Sequence, residues 1–481
     1  MNISIITRYI GLALIVNAIL MLVSAFVSLY YNVDASFSPL ILSAIITFTA
    51  GTFPLIFVKR DDKINIKEGF TIVVFSWILS CLFGMLPFIL YGGEFSIMNS
   101  WFESVSGYTT TGATILRDVE ALPRGLLFWR ASTHWLGGMG VVLFMLLILP
   151  MVNSFRMKLS KMEISSLSQD NFRYRAYQTI TIISVVYVGL TALETLLLMI
   201  AGMPLFDAVT HSFGTIATGG FSIKNLSIKA YDSFWVETII MVFMFISGIH
   251  FGLLYGAISG KNFKLFKSPI VRYYLISTML GALFVSLNIF LSGAQPVWHK
   301  ALREGFFQIV SMATTTGYAS ADTSLWPQFS MLVIMFFSLQ CACSGSTGGG
   351  IKVDRVWIFF KSVKAQIIRQ LHPNAISPVK VGNATLERDL VYSVNLFIVL
   401  YLTIVFFSSV LLTLLGIDIN EAISGSIASM GNVGPGLGTI GSQGNYSAIP
   451  DAGKFIFSVE MLLGRLEIYP LMLMLAIRRW R

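Results

Sequence analysis

Four short stretches centre on glycine, three of them beside hydroxyls: Thr111-Gly112-Ala113 in TTTGAT, Thr218-Gly219-Gly220 in ATGGFS, Thr316-Gly317-Tyr318 in TTTGYAS, and Val433-Gly434-Pro435 in NVGPGLG. Each follows a short semi-apolar segment and precedes a polar loop and a long apolar run. The intervals between successive glycines, Gly112, Gly219, Gly317 and Gly434, are 107, 98 and 117 residues. Such a period is domain-sized, so one unit is used four times around a common centre. A cation leaving water for hydrocarbon must exchange water oxygens for fixed ones, and backbone carbonyls supply them without net charge. Aiming successive carbonyls at one axis needs backbone angles that a β-carbon resists, which suits a glycine in each stretch. Threonine hydroxyls flank the glycine in three units, whereas the fourth has Asn432 and Val433, so the ring is only pseudo-fourfold. The expected filter set is Thr110, Thr111, Gly112, Ala217, Thr218, Gly219, Thr315, Thr316, Gly317, Asn432, Val433 and Gly434.

The elements that must position such a ring lie in oil. With 55% hydrophobic and 12% charged residues, and a mean hydropathy of +0.75, the chain reads as an all-α polytopic membrane protein. Residues 1–68 form a pair of spans without any filter-like motif. Four units follow, at 69–152, 176–262, 270–365 and 388–481, each with a span, a short segment, a glycine stretch and a second span. The short segments, such as Ile97 to Tyr108, cannot cross the bilayer and must enter and leave on one side, as re-entrant pore helices do. The expectation is ten spans and four re-entrant helices. The second span of unit two, Phe234 to Ile258, and that of unit four, Phe455 to Ile477, read as continuous. Each pore helix would turn its negative carboxyl end toward the ring. Asn99, Asp207, Glu304 and Glu421 suit the opposite ends as capping residues or as collectors of cations. Glu103 lies deeper, with no evident partner.

Orientation follows from the basic residues. With the amino terminus in the cytoplasm, 24 of the 33 Lys and Arg fall on that side, including Lys59, Arg60, Lys63 and Lys67, so both termini are expected there and the short helices dip in from outside. The net charge of +9 is spread over short loops rather than one aromatic-studded face, which argues against nucleic acid as a partner. Cys81, Cys341 and Cys343 sit among apolar residues as structural thiols, and the five histidines lack ligand spacing and read as packing residues. No nucleophile and base set stands out, so no catalytic residues are assigned.

Below the third glycine the span is interrupted. Ser344, Gly345, Ser346, Thr347, Gly348, Gly349 and Gly350 cannot continue a helix cheaply, since each Gly costs about 1 kcal/mol relative to Ala. Unwound backbone at that depth must be buried in protein or line water, which places it under the ring as a gate. Lys352 follows Ile351 and precedes Val353, so a phosphate-binding loop is not formed. Arg465 is a second oddity, a charge within the last span. It either pairs with Glu460 or Glu467, neither at same-face spacing, or faces the pore and repels cations.

TTTGAT, ATGGFS, TTTGYAS and NVGPGLG, together with CSGSTGGGIK at Cys343 to Lys352, HPNA at His372 to Ala375 and LLGRLEIYP at Leu462 to Pro470, resemble the Trk/Ktr/HKT superfamily of potassium transporters. Within it the chain is similar to the bacterial Trk potassium-uptake transmembrane subunits, over essentially its whole length. The resemblance implies potassium at the filter residues and no cofactor beyond it on this chain. It also implies a homodimer with one pore per subunit in the bacterial cytoplasmic membrane, and a cytosolic TrkA-like regulatory subunit that carries the nucleotide. It points the same way for Arg465 as a pore barrier. Gly112 stands where plant relatives that pass sodium carry Ser. The loop Lys161 to Arg173, KMEISSLSQDNFR, departs from the family's acidic sequence. The alternative is an ion-coupled symporter alternating access around the same broken helices.

Overall fold

A computed structural model describes residues 2–58, 66–152, 176–258, 265, 267–374, 377–382 and 384–468. Lys59, Arg60, Lys63, the loop Lys161 to Arg173, Lys261, Lys264, Ala375 and the segment 469–481 lie outside the described residues.

Helices α1 (Ile3–Tyr30) and α2 (Phe37–Phe57) form a hairpin. Its turn is organised by Asp34, whose carboxylate accepts hydrogen bonds from the Ser28 and Ser36 hydroxyls and from the Ser36 and Gly125 amides. Phe26, Phe53, Ile56 and Phe57 face outward with more than half their surface exposed, as suits helices solvated by lipid rather than water. Among the described residues, six helices are long and apolar enough to cross a membrane, or up to seven if a bent pair is one span.

A helix, a short helix and an outgoing helix then recur four times. The first set is α3 (Ile66–Gly84) with α4 (Leu86–Tyr91), α5 (Ile97–Tyr108) and α6 (Arg124–Val152). The second is α7 (Ala176–Ile200), α8 (Leu205–Ile216), and α9 (Phe234–Ser247) with α10 (Phe251–Ile258). The third is α11 (Pro269–Leu291), α12 (Trp298–Ala313), and α13 (Gln328–Gln340) with α14 (Val353–Leu371). After a small hairpin of β1 (Lys380–Val381) and β2 (Ala384–Thr385), the fourth is α15 (Arg388–Leu414), α16 (Ile419–Gly431) and α17 (Asp451–Arg465). The short helices α5, α8, α12 and α16 have 12, 12, 16 and 13 residues. At about 1.5 Å per residue none crosses a core of about 30 Å.

Several expectations need correction. The side-chain caps of α5 and α16 are Ser96 and Asp418, not Asn99 and Glu421. Helix α12 begins a turn earlier than Leu302, so Glu304 lies in its second turn and accepts from Gln295 Nε2 at 2.7 Å. Phe234 to Ile258 is not one helix, because α9 and α10 meet at 108°. The third break runs from Cys341 to Lys352, wider than Ser344 to Gly350. In the fourth unit α17 stops at Arg465, and Glu467 and Ile468 take left-handed angles, φ 58° and 51°.

Candidate functional site

The carboxyl ends of the four short helices share one geometry. In each, an amide reaches back five residues: Thr111 to Ser106 O, Gly219 to Gly214 O, Thr316 to Ser311 O and Val433 to Ala428 O, at 2.8 to 2.9 Å. The residue just before is left-handed, with φ 53° at Thr110, 54° at Thr218, 61° at Thr315 and 54° at Asn432. These are helix-ending motifs in which threonine or asparagine replaces the usual glycine. Two residues further on, the chain is left-handed again at Gly112 (82°), Gly220 (80°), Gly317 (78°) and Gly434 (99°). Gly220, not Gly219, therefore occupies the place of the other three glycines. Gly219 corresponds to Thr111, Thr316 and Val433, while Ala217 is the αR residue that caps α8, one position before the left-handed Thr218.

Those four glycines close a ring. A β-carbon on Gly112 would come under 3.0 Å from Gly219 O, one on Gly220 from Thr316 O, one on Gly317 from Val433 O, and one on Gly434 from Thr111 O. Each glycine thus lies against the carbonyl oxygen of the next unit, and the fourth returns to the first. All four also border a cleft of about 80 Å³ on the side where the short helices begin. The hydroxyls do different work from that expected. Thr109 Oγ1 and Thr111 Oγ1 bond each other at 2.8 Å, as do Thr314 Oγ1 and Thr316 Oγ1, so they brace the backbone. Thr110 Oγ1 and Asn432 Oδ1 are buried oxygens with no hydrogen-bond partner among the described residues.

On the inner side of the ring lies the break in the third unit. Only its middle faces the ring. Thr218 Oγ1 donates to Thr347 Oγ1 at 3.2 Å, Thr347 Oγ1 donates to Ile216 O at 3.1 Å, and the Gly349 amide donates to Thr315 Oγ1 at 3.2 Å. A β-carbon on Gly349 would meet Asn432 Oδ1 at 2.6 Å. The segment therefore crosses under three of the four units. Ser344 and Gly345 sit farther off: the Ser344 amide donates to Asp354 Oδ2 at 2.7 Å, and Gly345 O accepts from the Phe251 amide at 3.1 Å. Gly350 packs on Cys341. Arg465, 3% exposed, donates to Thr347 O at 2.6 Å and to Gly137 O at 3.1 Å. No ion pair with either carboxylate is formed among the described residues: Glu467 holds Arg355 at 2.9 Å, and Glu460 is buried within α17 itself.

Residues 39–479 match the family of TrkH cation transport proteins. The chain belongs to that family. The Trk system potassium uptake protein TrkH of Salmonella typhimurium is 34% identical over 481 residues, with 99% of both chains covered. The TrkG protein of Escherichia coli is 30% identical over 484 residues, covering 100% of this chain and 99% of its own. The crystal structure of the potassium transporter TrkH from Vibrio parahaemolyticus matches with a TM-score of 0.91 at 31% identity, and 100% of each chain is covered.

In this member of the TrkH family, several supporting residues escape a motif reading. Glu103 has a partner after all: Arg130 Nε donates to it at 2.5 Å, with Thr114 Oγ1 and the Ile115 amide also donating. Arg130 donates further to Ser222 O at 2.8 Å, which joins the first pore helix to the loop of the second unit. Tyr446 donates its hydroxyl to Gly434 O at 2.8 Å. Its position offers no motif. The pairing of Glu103 with Arg130, at i and i+27, becomes visible only when α5 and α6 are packed.

Proposed function

We propose that this protein takes up potassium across the bacterial cytoplasmic membrane through one pore per chain. The filter is Thr110–Gly112, Thr218–Gly220, Thr315–Gly317 and Asn432–Gly434. Residues 344–350 and Arg465 form the gate, with Thr347 to Gly349 as its blocking part. The closed ring carries this reading, because each of Gly112, Gly220, Gly317 and Gly434 abuts a carbonyl oxygen of the next unit. Uncharged oxygens arranged around one axis can replace the hydration shell of a monovalent cation. Four helix carboxyl ends add negative potential at the same place. Thr110 Oγ1 and Asn432 Oδ1 offer further acceptors, the latter beside Gly349 of the gate. The potassium-uptake names of the relatives supply the ion. Both termini lie in the cytoplasm, two chains form the assembly, and a cytosolic TrkA-like subunit that binds nucleotide drives the gate.

The test is Gly317→Ser. Its β-carbon must displace Val433 O, so the ratio of potassium to sodium flux in proteoliposomes is expected to fall at least tenfold. An unchanged ratio would remove the filter assignment.

A further inference from the structure

The filter segments are not braced alike. Behind the ring, units one and three carry the hydroxyl pairs Thr109 with Thr111 and Thr314 with Thr316. Unit two has Ala217 and Gly219 at those places, so no such pair can form. The space is filled from another unit instead. A β-carbon on Gly219 would come under 3.0 Å from three atoms of the His134 imidazole, and His134 is fully buried on α6. That ring is itself held. It stacks on Phe221 with centroids 4.0 Å and planes 11° apart, and its Nδ1 accepts the Phe221 amide at 3.4 Å. The Arg130 guanidinium lies 3.5 Å from the centroid of the same phenyl ring.

We propose that His134 is a positioning residue that sets ion specificity: its imidazole replaces, in unit two, the threonine pair that fixes the ring carbonyl in units one and three. This rests on the filter reading above. Gly219 and Gly220 form the most flexible pair of residues in the ring, because neither has a side chain to limit rotation of the peptide between them. A peptide that rotates turns its oxygen away from the axis and leaves a cation with fewer ligands, which favours the ion that tolerates a less regular shell. His134 opposes that rotation from two directions. Its face walls off Gly219, and its Nδ1 anchors the amide just beyond Gly220.

The experiment compares potassium-to-sodium permeability ratios in planar bilayers for the natural chain, His134→Ala, His134→Ala with Gly219→Thr, and Gly112→Ser as a control of the filter itself. His134→Ala is expected to lower the ratio several-fold. The added threonine lacks a hydroxyl partner at Ala217, but its β-branched side chain fills the space left by the imidazole and limits rotation between residues 219 and 220, so it is expected to recover the ratio, since the angles at Gly219 are open to a side chain. A natural ratio in His134→Ala alongside a lowered one in Gly112→Ser overturns the role of His134 and leaves the filter standing. Natural ratios in both overturn the two readings together, and a loss that Gly219→Thr does not recover overturns the brace. If His134→Ala does not fold, His134→Asn and His134→Leu carry the test. Asparagine can keep the acceptor for the Phe221 amide, so a higher ratio than in the leucine variant supports the proposal and equal losses overturn it.

Discussion

Threonine rarely tolerates a left-handed backbone, yet Thr110, Thr218 and Thr315 all adopt it at the ends of pore helices. Such conformations cost on the order of 1–3 kcal/mol each and persist only where the surroundings over-determine them. Here the five-residue back-bonds do so. This explains what was and was not legible. Aligning the stretches on Thr-Gly finds Gly112 and Gly317 but takes Gly219 in ATGGFS, where the backbone angle selects Gly220, and Gly434, which follows Asn432 and Val433, has no threonine to mark it. Gly220→Ser is accordingly expected to lower potassium over sodium flux as much as Gly317→Ser, and natural selectivity in that variant would return the ring position to Gly219. Arg465 was visible as a misplaced charge, but its partners were not, because they are carbonyl oxygens on two other elements. Hydrogen bonds from a charged group contribute about 1.5–3 kcal/mol each. Arg465→Ala should therefore favour opening and raise potassium flux about tenfold in the same vesicles; reduced flux with intact folding would show that the arginine does not restrain the gate.

Among the elements, the interrupted spans of units two and three differ in how openly they announce themselves. SGSTGGG is conspicuous, because three consecutive glycines cannot sit in a helix without cost. The bend between α9 and α10 is concealed, since Ile249 and Phe251 keep the run apolar and only the scattered Ser247, Gly248, His250 and Gly252 depart from it there. What opens that helix is the third unit: the Cys343 amide donates to Gly248 O at 3.0 Å, and Phe251 donates to Gly345 O at 3.1 Å. Backbone groups freed in one break satisfy those freed in the other, as hydrocarbon requires. The two breaks form one device, and a sequence read unit by unit sees only half of it. Deleting Ser346 to Gly349 removes the bonds from Thr347 and Gly349 to units two and three. Potassium flux should rise in vesicles without any cytosolic subunit, whereas flux at or below the natural level in a folded deletion would count against this segment as the barrier.

At the scale of the molecule, the four-unit plan was readable because periodicity survives divergence, but contacts between distant parts of the chain were not. The amino-terminal pair illustrates this, having no motif and yet reaching the first pore helix. Tyr108 donates its hydroxyl to Asn17 Oδ1 at 3.0 Å, and Asn17 Nδ2 donates to Ser80 Oγ at 2.9 Å, both within buried surroundings. α1 thus acts as an outer support for α5, one layer behind the ring. Glu103 and Arg130 support the same helix from its other neighbours, as a fully buried charge pair. Removing one member of such a pair costs about 3–5 kcal/mol because the other charge is stranded, while a neutral buried bond lost at Asn17 costs about 1–3 kcal/mol. The order of damage is therefore set by charge rather than by distance from the ring. Glu103→Gln should lower the melting temperature in detergent more than Asn17→Leu does. Asn17→Leu should leave the permeability ratio of the surviving protein unchanged, because the bonds that set the filter angles lie within α5 and the segment after it. A shifted ratio in Asn17→Leu without a change in melting would instead make α1 part of the selecting structure, coupled to the ring through Tyr108, whose neighbour Thr109 caps α5 just before the proposed filter.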